Sequence, residues 1–504
     1  MARINIPEIN YCYSVADICA LEAFAIEKQG ISGVKLMTKA GRAAFEAIQQ
    51  SNPQATKLYI FCGGGNNGGD GFVLAGLAAD ADWAVCLVDL ADPKKLSDEA
   101  LQARDFALAR VKEVVTKLPD LAGQEGLIVD AILGIGFTGG LRGSALKACQ
   151  LINQTDMPVF ALDVPSGVNA DTGACADDAI QANTTISFIG AKRGLLTGYA
   201  ENCVGELILD DLDIETPEDM SLHPHEILTS EHVQAVFPAR VASAHKGGCG
   251  HLLIIGGNIG MAGAVILAAE AALTLGVGKV SVATREPSLA PLLARVPEVM
   301  GRKIEHYNYL QPLLDKCTAV VIGPGLGTDA WAEQMLHCAL QNDIPIVCDA
   351  DAINLIAAGV VTPNKDRVCY TPHSGEAAGI LGSSAGAVQE DRFGALVALQ
   401  NKLAGHWVLK GNGSLVSRMD MPAYLNRTGN PGMASGGMGD VLSGLIGAVL
   451  AQGYSVESSA AAGTYLHGVA ADNAAQVQGK ISLRASDVIR AIPETQLSLE
   501  IQDV

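Results

Sequence analysis

The sequence predicts an α/β protein of two consecutive domains, because short apolar strands alternate with helical segments in two successive series. At 504 residues the chain is too long for one ordinary hydrophobic core. Strands of this kind, separated by helices, indicate parallel sheets covered on both faces. Between the two series, residues 210–230 are acidic, contain proline and lack apolar periodicity, which is typical of a linker. The sequence therefore predicts one domain over residues 1–222 and another over residues 223–504.

Each domain follows the same local pattern of strands and helices. The predicted helices are Val15–Glu27, Lys35–Gln50, a helix beginning near Asp70 after a glycine-rich turn, and Ala262–Leu275. The predicted strands of the first domain are Lys57–Cys62, Ala84–Val88, Leu127–Asp130, Pro158–Val164 and Thr184–Ile189. The predicted strands of the second domain are Leu252–Ile255, Lys279–Ala283, Ala319–Ile322, Pro345–Cys348, Arg367–Thr371 and Trp407–Lys410.

Charge and composition exclude several classes of protein. The formal net charge of −20 argues against binding to nucleic acid or to an anionic membrane. The first residues lack the apolar core of a secretory signal, and the most apolar run, Val441–Ala451, is too short to span a bilayer. The 12 cysteines include no C-x-x-C pair, which favours reduced, mostly buried thiols. We therefore expect a cytoplasmic protein with no nucleic-acid or membrane partner.

Three strand ends of the first domain carry acids and glycines. CGGGNNGGDG (Cys62–Gly71) lies between a strand and a helix, where glycines allow a ligand to approach the backbone and the helix N-terminus offers amides to an anion. DAILGIGFTGGLRG (Asp130–Gly143) and LDVPSGV, with Asp163 and Ser166, follow the next strands. Taken alone, Asp130 or Asp163 would also suit a helix N-cap. Since ligands of open α/β sheets bind at these strand ends, the three loops together predict a binding site.

NNGGDG, DAILGIGFTGG and DVPSG, in this order and spacing, resemble the N-terminal epimerase domain of the NAD(P)H-hydrate repair enzymes over the first 210 residues. The resemblance implies a Rossmann-like, three-layer domain built on a parallel sheet. It implies contacts with the hydrated nucleotide from Asn66, Asn67, Gly68, Gly69, Asp70, Gly134, Ile135, Gly136, Phe137, Thr138, Gly139, Gly140 and Asp163. It also implies a potassium ion near Asn67, Asp130 and Ser166, and neutral oxygens with one carboxylate suit a hard monovalent cation.

Four segments of the second domain carry its chemistry. They are HKGGCGHLLIIGGNIGMAGA (His245–Ala264), IGPGLG (Ile322–Gly327), TPHSGE (Thr371–Glu376) and GNPGMASGGMGDVLSG (Gly429–Gly444). The last one places Asp440 in the first turn of a helix behind a glycine-rich loop, so backbone amides form an anion hole beside a carboxylate. A kinase-like site needs this pair to hold a phosphoryl group and to activate a hydroxyl. Alone, Asp440 would suit the helix dipole and His373 would suit a buried core. The P-loop pattern GxxxxGKS is absent from the sequence.

These segments resemble the ribokinase-like fold, and within it the dehydratase domain of the same repair enzymes, from about Glu231 to the C-terminus. The resemblance implies that Ala264, Gly327, His373 and Asp440 line the hydrate pocket. It implies that ADP or AMP contacts Lys410, Gly411, Asn412, Gly413, Ser414 and Gly439. One departure is Met438, where many relatives carry a threonine or serine hydroxyl near the phosphate. Fusion of the two domains points to the bacterial bifunctional type, with ADP (or ATP) as co-substrate; we also expect Mg²⁺ at the dehydratase site and a homo-oligomer.

The chemistry of a hydrated nicotinamide assigns one carboxylate to each domain. Its hydroxyl lies on carbon 6 beside the ring nitrogen, so Asp163 is expected to move protons while water leaves and returns on either face. Asp440 is expected to deprotonate this hydroxyl for phosphorylation, after which phosphate leaves and the reduced ring is restored. Two alternatives remain open at this point. One is a ribokinase-like small-molecule kinase fused to a nucleotide-binding accessory domain, and the other is a first domain that acts only as a nucleotide sensor or partner-binding module.

Overall fold

The computed structural model describes residues 9–55, 57–215, 220–237, 240–363 and 366–499. It divides into two compact units, Met1–His225 and Glu226–Val504. The sequence predicts the corresponding boundary after residue 222. All 12 cysteines are free and most are buried. In the described ranges, none of the helices has both the length and the apolar character that a bilayer-spanning segment needs.

The first unit contains eight strands and six α-helices in its described part. The strands are β1 (Tyr11–Cys12), β2 (Lys57–Cys62), β3 (Ala84–Asp89), β4 (Glu113–Val115), β5 (Leu127–Ala131), β6 (Val159–Leu162), β7 (Thr184–Phe188) and β8 (Glu206–Asp210). The helices are α1 (Val15–Glu27), α2 (Gly33–Ser51), α3 (Asn66–Asp80), α4 (Asp98–Leu108), α5 (Gly143–Asn153) and α6 (Glu201–Val204).

A seven-stranded sheet in the order β4-β3-β2-β5-β6-β7-β8 organises this unit. Every neighbouring pair in it is parallel. Two apolar clusters, one of them containing residues of α2, α3 and α4 and the other residues of α5, cover its faces. The strand order reverses between β2 and β5, and in open parallel sheets such a reversal opens a crevice at the carboxyl ends of the strands.

Two predicted strands end earlier than expected, for a local backbone reason. Strand β6 stops at Leu162 because Asp163 has φ of +63°, and β7 stops at Phe188 because Ile189 has φ of +68°. Left-handed backbone of this kind ends extended pairing and is costly for residues other than glycine. The short strands β4 and β8 are absent from the sequence prediction.

The glycine-rich turn before α3 was predicted in the wrong place. Helix α3 begins at Asn66, not near Asp70, so NNGGDG forms its first turns. A Cβ on Gly63 would overlap the carbonyl oxygen of Ile132, and a Cβ on Gly68 would overlap that of Gly63. The glycines therefore allow close backbone packing at the start of the helix, as well as access to the strand ends.

The second unit begins within the two-residue strand β9 (His225–Glu226). Its other strands are β10 (His251–Ile255), β11 (Lys279–Thr284), β12 (Met300–Lys303), β13 (Ala319–Ile322), β14 (Ile346–Cys348), β15 (Val368–Tyr370), β16 (His406–Leu409), β17 (Ser414–Val416) and β18 (Tyr424–Asn426). Its helices are α7 (Ser230–Gln234), α8 (Ala262–Thr274), α9 (Glu286–Arg295), α10 (Gln311–Leu314), α11 (Ala330–Leu340), α12 (Ala350–Ala357), α13 (Ser374–Leu381), α14 (Ala385–Glu390), α15 (Arg392–Lys402), α16 (Met438–Ala451), α17 (Val456–Gln478) and α18 (Ala485–Leu499).

The sheet of the second unit is mostly parallel and ends in two antiparallel strands, β17 and β18, which are absent from the sequence prediction. Its order is β12-β11-β10-β13-β14-β15-β16-β17-β18. From β12 to β16 in this spatial order, every neighbouring pair of strands is parallel. Strand β17 pairs antiparallel with both β16 and β18. A tight turn with positive φ at Gly411 and Gly413 reverses the chain after β16. Helix α16, which contains the most apolar run of the sequence, is buried in the core with α8, α17 and α18.

Candidate functional site

A cleft of about 1160 Å³ lies in the first unit, at the strand ends where the order reverses. Most of the predicted hydrate-binding residues line it: Asn66, Asn67, Asp70, Gly134, Ile135, Gly136, Phe137, Thr138, Gly140 and Asp163. Gly68 and Gly69 are instead buried in the first turn of α3, and Gly139 is exposed beside the cleft residues. Three loops distant in sequence thus form one cavity.

Asp163 lies at the rim of this cleft and is paired with Lys192, a residue that the sequence prediction missed. The Lys192 side chain is only 1% exposed and forms an ion pair with Asp163. Its ammonium also donates to Ser187 Oγ at 3.1 Å and to the Phe188 carbonyl at 2.7 Å. Three acceptors thus match the three ammonium protons, so Lys192 holds the carboxylate in place. The sequence signal that could have identified Lys192 is its position just after a buried strand.

Two further carboxyl groups line the cleft. Glu22 comes from α1 and Asp70 from α3. Burial, with the Asp163 carboxylate as the second cause, raises the pKa of Glu22 and raises that of Asp70 well above its usual range. The cleft therefore combines a lysine-paired carboxylate with carboxyl groups whose protonated form is favoured. Such a set can both accept and donate protons.

The predicted cation ligands Asn67, Asp130 and Ser166 lie together and are all buried. Ser166 Oγ donates to Asp130 Oδ1 at 2.6 Å and accepts from the Leu133 amide at 2.9 Å. Asn67 Nδ2 donates to the Leu133 carbonyl at 2.7 Å, which leaves the buried Asn67 Oδ1 without a hydrogen-bond partner. Burial raises the pKa of Asp130 to about 6, although hydrogen bonds from Ser166 act to lower it.

An unpartnered oxygen near one carboxylate fits a hard monovalent ion, because a cation would supply what Asn67 Oδ1 lacks. Within the ranges that the structure describes, no cluster of three or more His, Cys, Asp or Glu side chains is arranged to hold a metal. The neutral oxygens of Asn67 and Ser166, with the single carboxylate of Asp130, suit potassium better than a divalent transition metal.

The glycine loop of the second unit ends at the N-terminus of α16. Gly437 caps this helix with φ of +91°, and Asp440 lies in the first turn. Burial, followed by the charge of Asp349, raises the pKa of Asp440 to about 7. The first-turn amides could therefore hold an anion, and the neighbouring carboxyl group could accept a proton.

A buried ionic network lies next to Asp440. Lys410 Nζ donates to Asp349 Oδ1 at 2.7 Å and lies 3.8 Å from Glu376 Oε2. Asp349 directly follows the buried strand β14 but was not predicted as a site residue, although strand ends carry the other candidates. Lys410 was predicted to contact the nucleotide, and its ammonium lies at this network.

The remaining predicted residues of the second unit lie on neighbouring loops. The His373 side chain, 62% exposed, caps α13, and its Nδ1 accepts from the amides of Gly375 and Glu376. The Gly327 amide donates to Asp351 at 2.8 Å. The Gly411–Gly413 segment forms the turn between β16 and β17. The sequence prediction also missed Arg392, whose buried guanidinium donates to the carbonyls of Lys410 and Gly413 at this turn. Ala264 lies in the first turn of α8, Ser414 begins β17, and Gly439 is the second residue of α16.

Comparison with known proteins gives a family for the whole chain. The family model described as NAD(P)H-hydrate dehydratase matches residues 252–494, and the model described as YjeF-related protein N-terminus matches residues 33–194. The bifunctional NAD(P)H-hydrate repair enzyme of Coxiella burnetii is 42% identical, covering 94% of this chain and 97% of that protein. The corresponding Escherichia coli enzyme is 38% identical, covering 94% and 92%. The chain belongs to the bifunctional NAD(P)H-hydrate repair enzyme family.

Solved structures agree with this family assignment. A ribokinase-like superfamily protein from Enterococcus faecalis has a TM-score of 0.51 and 29% identity, covering 54% of this chain and 96% of that chain. A protein from Streptococcus mutans has a TM-score of 0.50 and 26% identity, covering 54% and 99%. Together with the parallel sheet of the first unit, these likenesses confirm the predicted combination of a parallel-sheet domain and a ribokinase-like domain.

Proposed function

We propose that this member of the repair-enzyme family restores hydrated NADH and NADPH in two steps. The first unit interconverts the R and S hydrates, and the second unit dehydrates the S form with ADP or ATP; with ADP the products are NAD(P)H, AMP and phosphate. The observation that carries this proposal is the division of chemistry in one chain. The first unit has a cleft with several carboxyl groups, and the second has a glycine anion hole beside a carboxyl group.

In the first unit, Asn66–Asp70 and the Gly134–Gly140 loop bind the hydrated nucleotide. The ring nitrogen assists departure of the carbon-6 hydroxyl, which leaves as water after receiving a proton. A water molecule then adds to either face of the ring and loses a proton. Asp163, held by Lys192, is the acid–base group for these transfers.

Potassium is proposed at Asn67, Asp130 and Ser166, in support of the same cleft. The unpartnered Asn67 Oδ1 and the single carboxylate support this choice. When bound, the ion supplies a positive charge that ties three strand-end loops together. Asp130 itself orients Ser166 and takes no proton from the substrate.

In the second unit, Ala264, Gly327, His373 and Asp440 line the hydrate pocket. The nucleotide contacts Gly439 and the Lys410–Ser414 turn, and Mg²⁺ would offset phosphate charge. Asp440 removes the proton of the carbon-6 hydroxyl, whose oxygen bonds to the terminal phosphorus of ADP as the bond to AMP breaks. Phosphate then leaves carbon 6, carbon 5 loses a proton, and the carbon–carbon double bond is restored.

The decisive experiment supplies the full-length protein with chemically hydrated NADH, first with ADP and then with ATP. Absorbance of reduced nicotinamide should rise, and labelled nucleotide should release free inorganic phosphate. Phosphate remaining on a small-molecule product would instead identify a kinase. Full consumption of a mixture of both hydrates requires epimerisation, so an Asp163→Asn variant should stop near half conversion.

We further propose that the protein acts in the cytoplasm as a homo-oligomer. Twelve free cysteines support a reducing compartment. Exposed Val477, Ile481 and Leu497 support apolar contact with a second copy. Light scattering of the purified protein tests the oligomer, and fractionation of the source cells tests the location.

A further inference from the structure

The Asp349 carboxylate has partners on both of its oxygens. Oδ1 accepts from Lys410 Nζ at 2.7 Å and from Thr371 Oγ1 at 2.8 Å. Oδ2 accepts from Ser443 Oγ at 2.6 Å. Asp349 is 1% exposed, and its three partners come from the ends of β15 and β16 and from α16. The carboxyl group is therefore built into the junction of three elements.

This junction lies directly beneath the anion hole. A Cβ placed on Gly439 would lie 3.3 Å from Lys410 Nζ and 3.6 Å from Asp349 Oδ2. Gly439 is the residue before Asp440, in the same first turn of α16. The ammonium and the carboxylate are thus adjacent to the first-turn amides of α16 and to the turn that carries the proposed base.

We propose that Asp349 is a positioning residue of the dehydratase, which holds the Lys410 ammonium beneath Gly439 and places a negative charge next to the helix turn that carries Asp440. The proposal rests on the dehydratase function proposed for the second unit. In this arrangement Lys410 attracts the terminal phosphate, and Asp349 keeps Asp440 available to accept a proton near neutral pH.

Opposite charges surround Asp440. Asp349 after β14 and Asp351 on α12 raise the pKa of Asp440, and Lys410 lowers it, with burial as the largest cause. Glu376 on α13 faces Lys410, and burial and the charge of Lys410 hold His467 on α17 in its neutral form near pH 7. Removing one member of the Asp349–Lys410 pair should therefore shift the titration of Asp440 in a direction that depends on which member is lost.

The test measures kcat/KM for the hydrate between pH 5 and 9, at saturating ADP, in full-length Asp349→Asn and Lys410→Met variants. In Asp349→Asn a negative neighbour is lost, so the acid limb of the profile should move down by about one pH unit. In Lys410→Met a positive neighbour is lost, so the limb should move up by about one pH unit. Limbs that stay at the wild-type pH in both variants would overturn the proposal.

Ser443→Ala is the matched control within the network. It removes one hydrogen bond to Asp349 without changing a charge, so the rate should fall while the acid limb stays in place. A purely structural role for Asp349 would give this same pattern in Asp349→Asn. The exposed Asp315, replaced by Asn, controls for loss of one surface charge.

Two further measurements keep the proposal testable if a variant fails to fold, as judged by its melting temperature. The wild-type acid limb should lie near pH 7, well above the ordinary range of an aspartate, and a limb within that ordinary range would overturn the proposal. Calorimetry with ADP needs no turnover: Lys410→Met should bind ADP about tenfold more weakly, and unchanged affinity would count against the proposal. Wild-type protein that binds ADP but never dehydrates the hydrate would refute the proposed function instead.

Discussion

Each unit contains a buried lysine–aspartate pair, and the two pairs are used differently. In the first unit Lys192 binds Asp163, the proposed acid–base group itself. In the second unit Lys410 binds Asp349, and the proposed base Asp440 lies beside the pair with its pKa raised to about 7. In the first site the lysine thus holds the proposed acid–base carboxylate itself. In the second site the pair lies beside the proposed base and affects its pKa.

The difference follows from the reactions proposed for the two sites. Epimerisation needs proton transfer in both directions, and its cleft adds Glu22 and Asp70, whose pKa values are raised. Phosphorylation of a hydroxyl needs one base that accepts a proton near neutral pH, together with a fixed cation for the phosphate.

The largest expected effect is that of Asp440→Asn on dehydration. The substitution keeps the shape of the side chain and removes the base, so turnover should fall by a factor on the order of 10²–10⁴. ADP affinity, measured by calorimetry, should largely survive, and epimerisation by the first unit should not change. Asp315→Asn is the control for charge loss. Near-normal turnover in Asp440→Asn would show that this carboxylate is not the base.

Lys192→Met tests whether the first unit depends on its direct pair. The variant keeps a long apolar stem but leaves Asp163 without its cation, so the epimerisation rate should fall by a factor on the order of 10². Lys112→Met, at an exposed lysine, is the control. Hydrate interconversion followed by chromatography gives the rate. If the two residues act as one unit, adding Lys192→Met to Asp163→Asn should cost little more.

Asp130→Ala tests a supporting role in the same unit. Because Asp130 orients Ser166 and contacts no reacting atom, KM should rise roughly tenfold while kcat falls less. Epimerisation should also weaken when a bulky organic cation replaces potassium, and it should persist in a chelator of divalent metals. Loss of activity in the chelator, with recovery on adding zinc or magnesium, would contradict a monovalent site.

The smallest expected effect concerns stability in acid. Burial lowers the pKa of His467 to about 4, below its ordinary value of 6.5. The unfolded chain therefore binds a proton that the folded chain does not, so stability is retained above pH 6.5 and falls as the pH drops towards 4. Between pH 7 and 5 this loss is about 2 kcal/mol, and His467→Leu should show less of it in urea unfolding. An identical loss in both proteins would show that His467 does not titrate this way.

The sequence by itself determined most of the strands, the glycine loops at their ends and the family. Helix α1 and strands β2 and β13 have the predicted bounds. Period-two and period-3.6 patterns and glycine-rich turns are local properties, so they can be identified without knowing what packs against them. The strand-end rule also pointed to Asp163, because parallel strands present their carboxyl ends on one edge of a sheet. The glycine-rich loop before a helix pointed to Asp440.

Only the tertiary structure decided which charges meet. Asp349 and Lys410 are 61 positions apart, and Asp349 and Ser443 are 94 apart. Lys192 follows Asp163 by 29 positions and bonds to it across the end of β7. Whether a lysine lies in solvent or is buried against a carboxylate depends on the packing of distant elements, and burial is what shifts a pKa or gives an ion pair its strength. Neither the pKa shift of a group nor the strength of an ion pair is encoded in a local pattern of residues.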